Sequence, residues 1–431
     1  MIKKISDGHF VLGGQQEAAF LSYDKTDRDQ HPVTIYPGSR QTGKWAKWFP
    51  YGLYDEIDKE PQVLLNLVKY NNLQVPLLNT NVDFVIGNGV GLFKKVITPE
   101  GKLTIQPYPL PEVEDWMKEN EVDHVETKLA TDFYYTGNCF LEGVITGEKK
   151  VSTIKHHHPT NARAGLLDPE TGEIEYYFIG DFKSGKAKFD PKYPNDLKKS
   201  TVKRVRAFDK KSLSSKFIWH GKQYFPGEYY YGLPWWYGVK DWIRLANQIP
   251  IFHIAGLTKG YNIRWHIKIP ISYFEQFPEN ERASEEDKIM QELDSMLSGA
   301  ENAGKAFISR FSNDKDYPEW KIESLKSELY DEAYKDIFQH SNTALSSANN
   351  IDPSLAGYDI TGKLSSGSEK RNSYLIHLAL KTPRPRMILL KWLYDVKELN
   401  GWPEDLIFAF KDIEITTLDV NPTGTQNTVR T

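Results

Sequence analysis

The residues with the sharpest chemical spacing are GSRQTGK at 38–44, which fit the GxxxxGK phosphate-loop pattern behind a strand-like run at 33–36. In such a loop backbone N–H groups cradle phosphates, Lys44 reaches the terminal one, and a following Ser or Thr holds Mg²⁺. Here Trp45 follows, and KWAKWFPYG meets Pro50 before a helix can start. The segment therefore reads as a surface loop, with a nucleotide hydrolase using Lys44 kept as an alternative. His156, His157 and His158 offer three imidazoles, but consecutive residues on a strand point in different directions, and Pro159 follows at once. A metal needs three or four convergent ligands, and no carboxylate or cysteine stands close in sequence. The triplet reads as a strand end, with a metal-dependent nuclease as the alternative. Gly87, Gly89 and Gly91 lack dinucleotide-binding spacing and read as a turn. Cys139 sits in an apolar run and reads as core. No Ser/His/Asp arrangement has a nucleophile elbow. The expectation is a protein that is not an enzyme, with no catalytic, cofactor-binding or metal-ligating residue.

Composition narrows the class. The 431 residues, 39% hydrophobic, suffice for two or three domains with a sizeable core. Aromatic content of 13% fits large contact surfaces as well as core. One cysteine excludes an intrachain disulfide framework and a multi-cysteine zinc site, and points to a reducing compartment. MIKKISDGHF has no apolar run behind its lysines and is not a signal peptide, and no stretch approaches a membrane span. The net charge of −4 hides a segregation. Positions 183–222 hold 13 Lys/Arg against 3 Asp, and positions 275–336 hold 17 Asp/Glu against 8 Lys/Arg.

The elements that must position these residues follow an α+β order. Residues 1–59 read as irregular, with short strands such as that at 33–36. Pro61 starts a helix with the stripe Val63, Leu64, Leu67, Val68. Residues 82–91 read as a strand and glycine turn. Asp123 caps a helix with the stripe Val125, Leu129, Phe133, ended by Gly137 and Asn138, and a strand follows at 139–144. The region 144–225 reads as β-rich, with strands at 173–179 and 217–220. Pro234 opens a helical stretch to about 259 that Pro250 should kink or split. Residues 263–270 alternate as a strand. Ser284 caps a helix with the stripe Ile289, Leu293, Met296, Leu297, and strands follow at 307–311 and 320–325. The unit 263–325 is thus a β-α-β-β module between long helices.

A further helix, from 327 to about 346, carries Glu328, Asp331, Glu332, Lys335 and Gln339 on its polar face. Residues 349–367 form a turn-rich loop, and helix resumes at 368–381. Pro383 and Pro385 interrupt it, helix continues over 387–399, and 406–418 reads as a strand pair. The basic stretch 183–222 either meets phosphates without reading sequence or is a solvated loop and strand face. An acidic helix facing DNA would keep contact weak, as sliding requires; its plain alternative is a solvated face.

Several stretches in this order resemble the portal proteins of tailed bacteriophages. LATDFYYTGNCFLEGV (129–144) is similar to the family's helix, Gly-Asn turn and strand. FIWHGKQYFPGEYYYGLPWWYGVKDWIRLANQ (217–248) resembles its strand and Tyr-Gly-x-Pro turn into a helix. NAGKAFI (302–308), NIDPSLAGY with LSSGSEKRN (350–372) and PRPRMILLKWLYDVKEL (383–399) match in character. The likeness spans roughly 60–410 and lies in element order.

The resemblance implies a portal fold: an N-terminal segment 1–59, a β-rich wing from 60–233 and 382–420, and a two-helix stem at 234–259 and 327–348. A clip at 260–326 lies between the stem helices. A tunnel loop at 349–367 is followed by a helix at 368–381, and a flexible tail occupies 421–431. The family's helical crown is short or absent, a departure. It further implies a homo-oligomeric ring, usually a dodecamer, at one capsid vertex of the virion, assembled in the host cytoplasm. Double-stranded DNA passes through without sequence specificity during packaging and ejection. The partners are the major capsid protein, the terminase large subunit and then head-tail adaptor proteins, with no membrane. Lys363, Ser365 and Ser366 would touch phosphate, with Gly362 and Gly367 giving the loop freedom to shift. Glu328, Asp331, Glu332 and Asp336 would line the stem or bridge to the next subunit. Another virion structural or adaptor protein is the nearest alternative; an axial hole as wide as duplex DNA separates the two.

Overall fold

The computed structural model describes residues 2–6, 9–12, 48–52, 58–259 (apart from 100, 102, 148, 169, 195 and 197), 263–297, 305–311, 320–324, 331–357 and 367–413. The loop 38–44 with Lys44, and the strand expected at 33–36, lie outside the described residues, as does the tail 421–431. The class is α+β, and the contacts divide the chain into two units. One comprises the described residues of Met1–Thr26 and Arg244–Ser341, the other those of Asp27–Ile243 and Asn342–Thr431.

The smaller unit is a five-stranded sheet in the order Ile2–Ser6, His9–Leu12, Lys305–Phe311, Ile263–Pro270, Lys321–Ser324. Ile263–Pro270 and Lys305–Phe311 are parallel, so the chain between them must cross over, and helices Ile271–Glu275 and Arg282–Leu297 lie in that connection. Ile267, Ile269, Phe274 and Met290 form the core of this unit. Besides the short strand expected at 33–36, two that the sequence pattern did not place lie at the start of residues 1–59: Ile2–Ser6 and His9–Leu12 pair antiparallel, and His9–Leu12 adds to Lys305–Phe311. The helix Arg282–Leu297 begins before Ser284, which therefore does not cap it.

The larger unit holds a six-stranded sheet, Val151–His157, Asn138–Ile145, Lys216–Lys222, Lys203–Ala207, Tyr176–Ile179, Ala162–Ala164, and a three-stranded one, Leu406–Phe410, Val90–Ile97, Leu103–Pro107. Helices Glu60–Lys69, Gln74–Ile86, Val122–Thr136 and Lys391–Asn400 supply Leu64, Leu77, Leu129, Trp392 and Leu393 to its main core. The strand expected over 82–91 is instead the end of helix Gln74–Ile86. Leu78, Val82, Val85 and Ile86 fall three and four apart and are all buried, and Asn71 Oδ1 accepts from the N–H groups of Leu73 and Gln74 at 3.1 and 2.8 Å. Asp123 does not cap its helix; its carboxylate accepts from the Val90 N–H at 2.8 Å and ties the first strand of the small sheet to the helix. Pro383 and Pro385 sit in the first turn of a new helix, Pro383–Leu389, where a missing N–H costs nothing. Helix Lys240–Lys259 contains Pro250 and is not split by it. Of the strand pair expected over 406–418, Leu406–Phe410 is a single strand on Val90–Ile97, and 414–418 lie outside the described residues.

Glu126 lies within the main core, its Oε1 accepting from Trp392 Nε1 at 2.8 Å. Burial pushes its carboxyl up to about 8; the Trp392 hydrogen bond works against the rise and the Asp123 charge adds to it. The folded chain thus holds a proton that the unfolded chain releases near pH ~4.3, so stability falls as pH rises between those values. In Glu126→Gln that dependence is gone. The difference in urea-unfolding free energy should move in the variant's favour by about 2 kcal/mol between pH 6 and pH 8. A difference that stays constant over that interval would show Glu126 ionised in the fold.

Candidate functional site

The start of helix Lys240–Lys259, the longest among the described residues, is set by a glycine-asparagine turn. Helix Val122–Thr136 ends on Gly137, whose φ of 75° is left-handed. Asn138 Nδ2 then donates to Thr136 O (2.9 Å), to Gly232 O (2.8 Å) and to the Tyr51 hydroxyl, and Asn138 Oδ1 accepts from Gly232 N (2.7 Å) and His220 Nε2 (2.9 Å). A Cβ on Gly232 would stand 2.4 Å from Gln223 O and 2.5 Å from Gly137 O. The Gly-Asn and Tyr-Gly-x-Pro turns, 94 residues apart at Asn138 and Gly232, therefore lock together. Trp236, fully buried, closes the joint by donating from Nε1 to Tyr134 O at 3.0 Å. His220 is held neutral, burial pushing its pKa down and the Lys222 charge adding to the drop.

The second long helix is Asp331–Asn349. Within the smaller unit it meets the first: Tyr334 stacks on Phe252 at 4.9 Å between centroids and meets His253 edge-on at 5.6 Å. Within the larger unit its end is clamped. Asn349 Nδ2 donates to Gln74 Oε1 at 2.9 Å, and Asn81 Nδ2 donates to Asn349 O at 3.1 Å. Of the expected acidic face, Asp331 and Glu332 occupy the first turn, Asp336 is exposed one turn on, and Glu328 lies outside the described residues.

The loop that follows has an anchored base. Asp352 accepts from Ser354 N and Oγ (3.1 and 2.8 Å) through Oδ1, and from Ser373 Oγ (3.1 Å) through Oδ2; Lys381 Nζ donates to Asn350 Oδ1 at 2.9 Å. The turn-rich reading is refined by a 3₁₀ turn at Pro353–Ala356. Gly362, Lys363, Ser365 and Ser366 lie outside the described residues, and Gly367 is the first residue of helix Gly367–Lys381. That helix and the next leave Leu375, Ile376, Leu380 and Met387 exposed, the last two at 71% and 70%.

The histidine triplet meets carboxylates that sequence proximity did not reveal. His156 Nε2 is 2.6 Å from Asp132 Oδ2 and His157 Nε2 is 2.7 Å from Glu142 Oε2, while His158 Nε2 is 3.8 Å from Asp132 Oδ1. Alternation along Val151–His157 sends His156 and His157 to separate partners. Burial raises the Asp132 pKa against the lowering effect of His156 and His158, whereas the His157 hydrogen bond lowers that of Glu142. Among the described residues no group of three or more side chains could hold a metal ion. Cys139 is buried, its thiol pushed well above the usual range by burial and then by the Asp132 and Glu126 charges. Among the described residues no helix is long and apolar enough to cross a membrane.

No family model matches the chain, and no curated protein matches it. Solved structures do. The chain is similar to one in the neck of an empty gene transfer agent particle, at 15% identity and a TM-score of 0.52, covering 84% of this chain and 87% of that one. It is also similar to a chain in the virion of a native gene transfer agent particle, at 14% identity and a TM-score of 0.52 with the same coverage. At these identities the likeness is one of fold.

Proposed function

We propose that the chain is one subunit of a portal-type ring, a conduit for double-stranded DNA that binds and guides without catalysing. The observation that carries this reading is the shared fold, over 84% of the chain, with a chain from a particle neck. The internal order agrees with it: a long helix, a sheet-and-helix module, a second long helix, then a loop with an anchored base followed by a third helix. On this reading Lys363, Ser365 and Ser366 sit on the loop nearest the DNA. Exposed carboxylates such as Asp336 keep the passage weakly binding, since cationic side chains would hold phosphate. The exposed Leu375, Ile376, Leu380 and Met387 would be covered by the next subunit. A ring of twelve at one capsid vertex of the virion, contacting the major capsid protein, then the terminase large subunit and head-tail adaptors in turn, completes the proposal.

Imaging of the negatively stained, purified protein tests it, with light scattering for mass. Closed rings with an axial hole wide enough for duplex DNA are expected. A monodisperse monomer or closed dimer, at concentrations where the chain is fully folded, would overturn the reading.

A further inference from the structure

The basic stretch has a structure that the ring reading does not use. Between strands Tyr176–Ile179 and Lys203–Ala207 the chain makes a long excursion over 180–202 with a small core of its own: Trp48, Phe178, Phe182, Phe189 and Val202 are all buried together. Trp48 packs edge-on against Phe182 at 5.4 Å, Phe178 against Phe189 at 5.1 Å, and the buried Arg163 guanidinium lies 4.4 Å over Phe182. Backbone bonds from Thr201 N and Val202 N to Lys188 O close the excursion on itself. It is therefore an ordered platform.

On that platform Lys183, Lys186, Lys188, Lys192, Lys198 and Lys199 are exposed, with Lys203 at the strand behind them. Each acidic residue nearby has a carboxylate oxygen engaged by a backbone N–H, and Asp181 also feels the Lys183 charge. Asp181 Oδ1 accepts from Ser184 N at 3.2 Å, Asp190 Oδ1 from Lys192 N at 3.0 Å, and Asp196 Oδ1 from Lys198 N at 2.9 Å. Each carboxylate is oriented by its own turn. Elsewhere in the basic stretch several cations are partnered within the unit: Lys210 pairs with Asp395 (3.3 Å) and Glu398, Arg206 with Glu175 (3.3 Å), and Arg204 lies over the Tyr176 ring at 4.5 Å, while Lys211 and Lys216 are exposed on other turns and strands. The lysines of the excursion thus form a separate concentration of positive charge on a rigid support.

We infer that this excursion is a sequence-independent binding surface for the phosphate backbone of double-stranded DNA, distinct from any passage through a ring. A protein partner is disfavoured by what the platform lacks. Protein interfaces are built round an apolar centre. Among the described residues of the platform, Tyr193 is the large apolar side chain exposed among the lysines, and Lys199 Nζ sits over its ring at 3.1 Å. Point charges that outnumber the exposed aromatic among them suit a polyanion whose charges repeat along a line.

The test measures binding of the full-length protein to a fluorescein-labelled 30-base-pair duplex by anisotropy across a salt series. Lys183, Lys186, Lys192 and Lys198 are changed together to Gln. Affinity in low salt should fall on the order of tenfold or more, and the slope of log affinity against log salt should flatten by roughly 0.9 for each phosphate that is no longer neutralised. The same four positions changed to Arg should retain binding. Four lysines elsewhere in the larger unit, Lys69, Lys118, Lys128 and Lys149, changed to Gln give an equal change in net charge and should leave affinity near that of the unaltered protein. Equal loss in both Gln variants would reduce the effect to net charge and overturn the inference, as would unchanged binding in the first. Tighter binding of polyglutamate than of duplex would overturn it in favour of an acidic protein partner. Ring formation, read separately by light scattering, keeps this outcome distinct from that of the proposed function.

Discussion

Replacing Asp58 with alanine is expected to destabilise the larger unit by about 3–5 kcal/mol, the range found when one member of a buried ion pair is removed. Arg163 is fully buried. Its Nε donates to Asp58 Oδ1, its Nη2 to Asp58 O at 2.7 Å, and its Nη1 to Ala162 O at 2.7 Å. Asp58 in turn accepts from Tyr51 N at 3.0 Å and Trp48 Nε1 at 3.3 Å. One carboxylate therefore neutralises a fully buried guanidinium, and also holds the 48–52 segment against strand Ala162–Ala164. Without it the positive charge remains buried and three donors, Arg163 Nε, Tyr51 N and Trp48 Nε1, lose their acceptor. The double variant Asp58→Ala with Arg163→Met removes the orphaned charge and should recover a large part of the loss. Chemical unfolding followed by tryptophan fluorescence measures both. A single variant within 1 kcal/mol of the parent would mean that Arg163 finds another partner or becomes hydrated. Because Arg163 also lies over Phe182, hydrogen exchange in the basic excursion should quicken in Asp58→Ala before the rest of the unit does.

Periodicity carries those elements whose burial is decided within one segment. The alternation of IRWHIKIP emerges as strand Ile263–Pro270, and the stripe Val125, Leu129, Phe133 as the buried face of Val122–Thr136. It fails where a short window is ambiguous. Val82, Val85 and Ile86 look β-branched and strand-like in isolation; only with Leu77 and Leu78 does the helical spacing emerge. Pro383 and Pro385 look like breakers although they stand where a helix begins. At the N-terminus the signal is present but weak: Asp7-Gly8 between IKKIS and HFVL is the pattern of a tight hairpin, and the pairing of Ile2–Ser6 with His9–Leu12 follows it.

Pairing over long separations is not legible at all. Asp132 with His156, Glu126 with Trp392, and Gln74 with Asn349 join elements up to 275 residues apart, and no local pattern marks them. The basic stretch shows the same limit from another side. A count of 13 cations against 3 carboxylates locates the charge, yet which lysines are unneutralised depends on where the carboxylates point. That is decided by turns such as the one in which Asp190 receives the Lys192 N–H. The candidate loop is the reverse case: its base at Asp352 and Ser373 is on view, while Lys363, Ser365 and Ser366 lie outside the described residues.

The Gly137–Asn138 joint allows the positional argument to be tested at one atom. Gly137→Ala introduces a Cβ on a left-handed backbone, at a cost of roughly 1–2 kcal/mol. The same Cβ would stand 2.6 Å from Leu233 C and 2.7 Å from Pro234 N, main-chain atoms that no rotamer change can move away. Overpacking of that kind adds about 1–3 kcal/mol. Together, at about 3 kcal/mol, these should lower Tm by roughly 6–12 °C. Gly101→Ala provides the internal control, because Gly101 has a similar φ of 77° with nothing within 4 Å of its added Cβ. It carries the backbone cost alone and should lower Tm by about half as much or less. The excess at Gly137 is the close approach of the two turns, and its consequence is directional. The segment displaced, Gly232 to Pro234, leads into Lys240–Lys259, so on the ring proposed above assembly should weaken at temperatures where the chain is still folded, an effect absent in Gly101→Ala. Equal melting shifts in the two variants, with assembly intact in both, would show that the joint tolerates the added carbon and does not fix the start of the long helix.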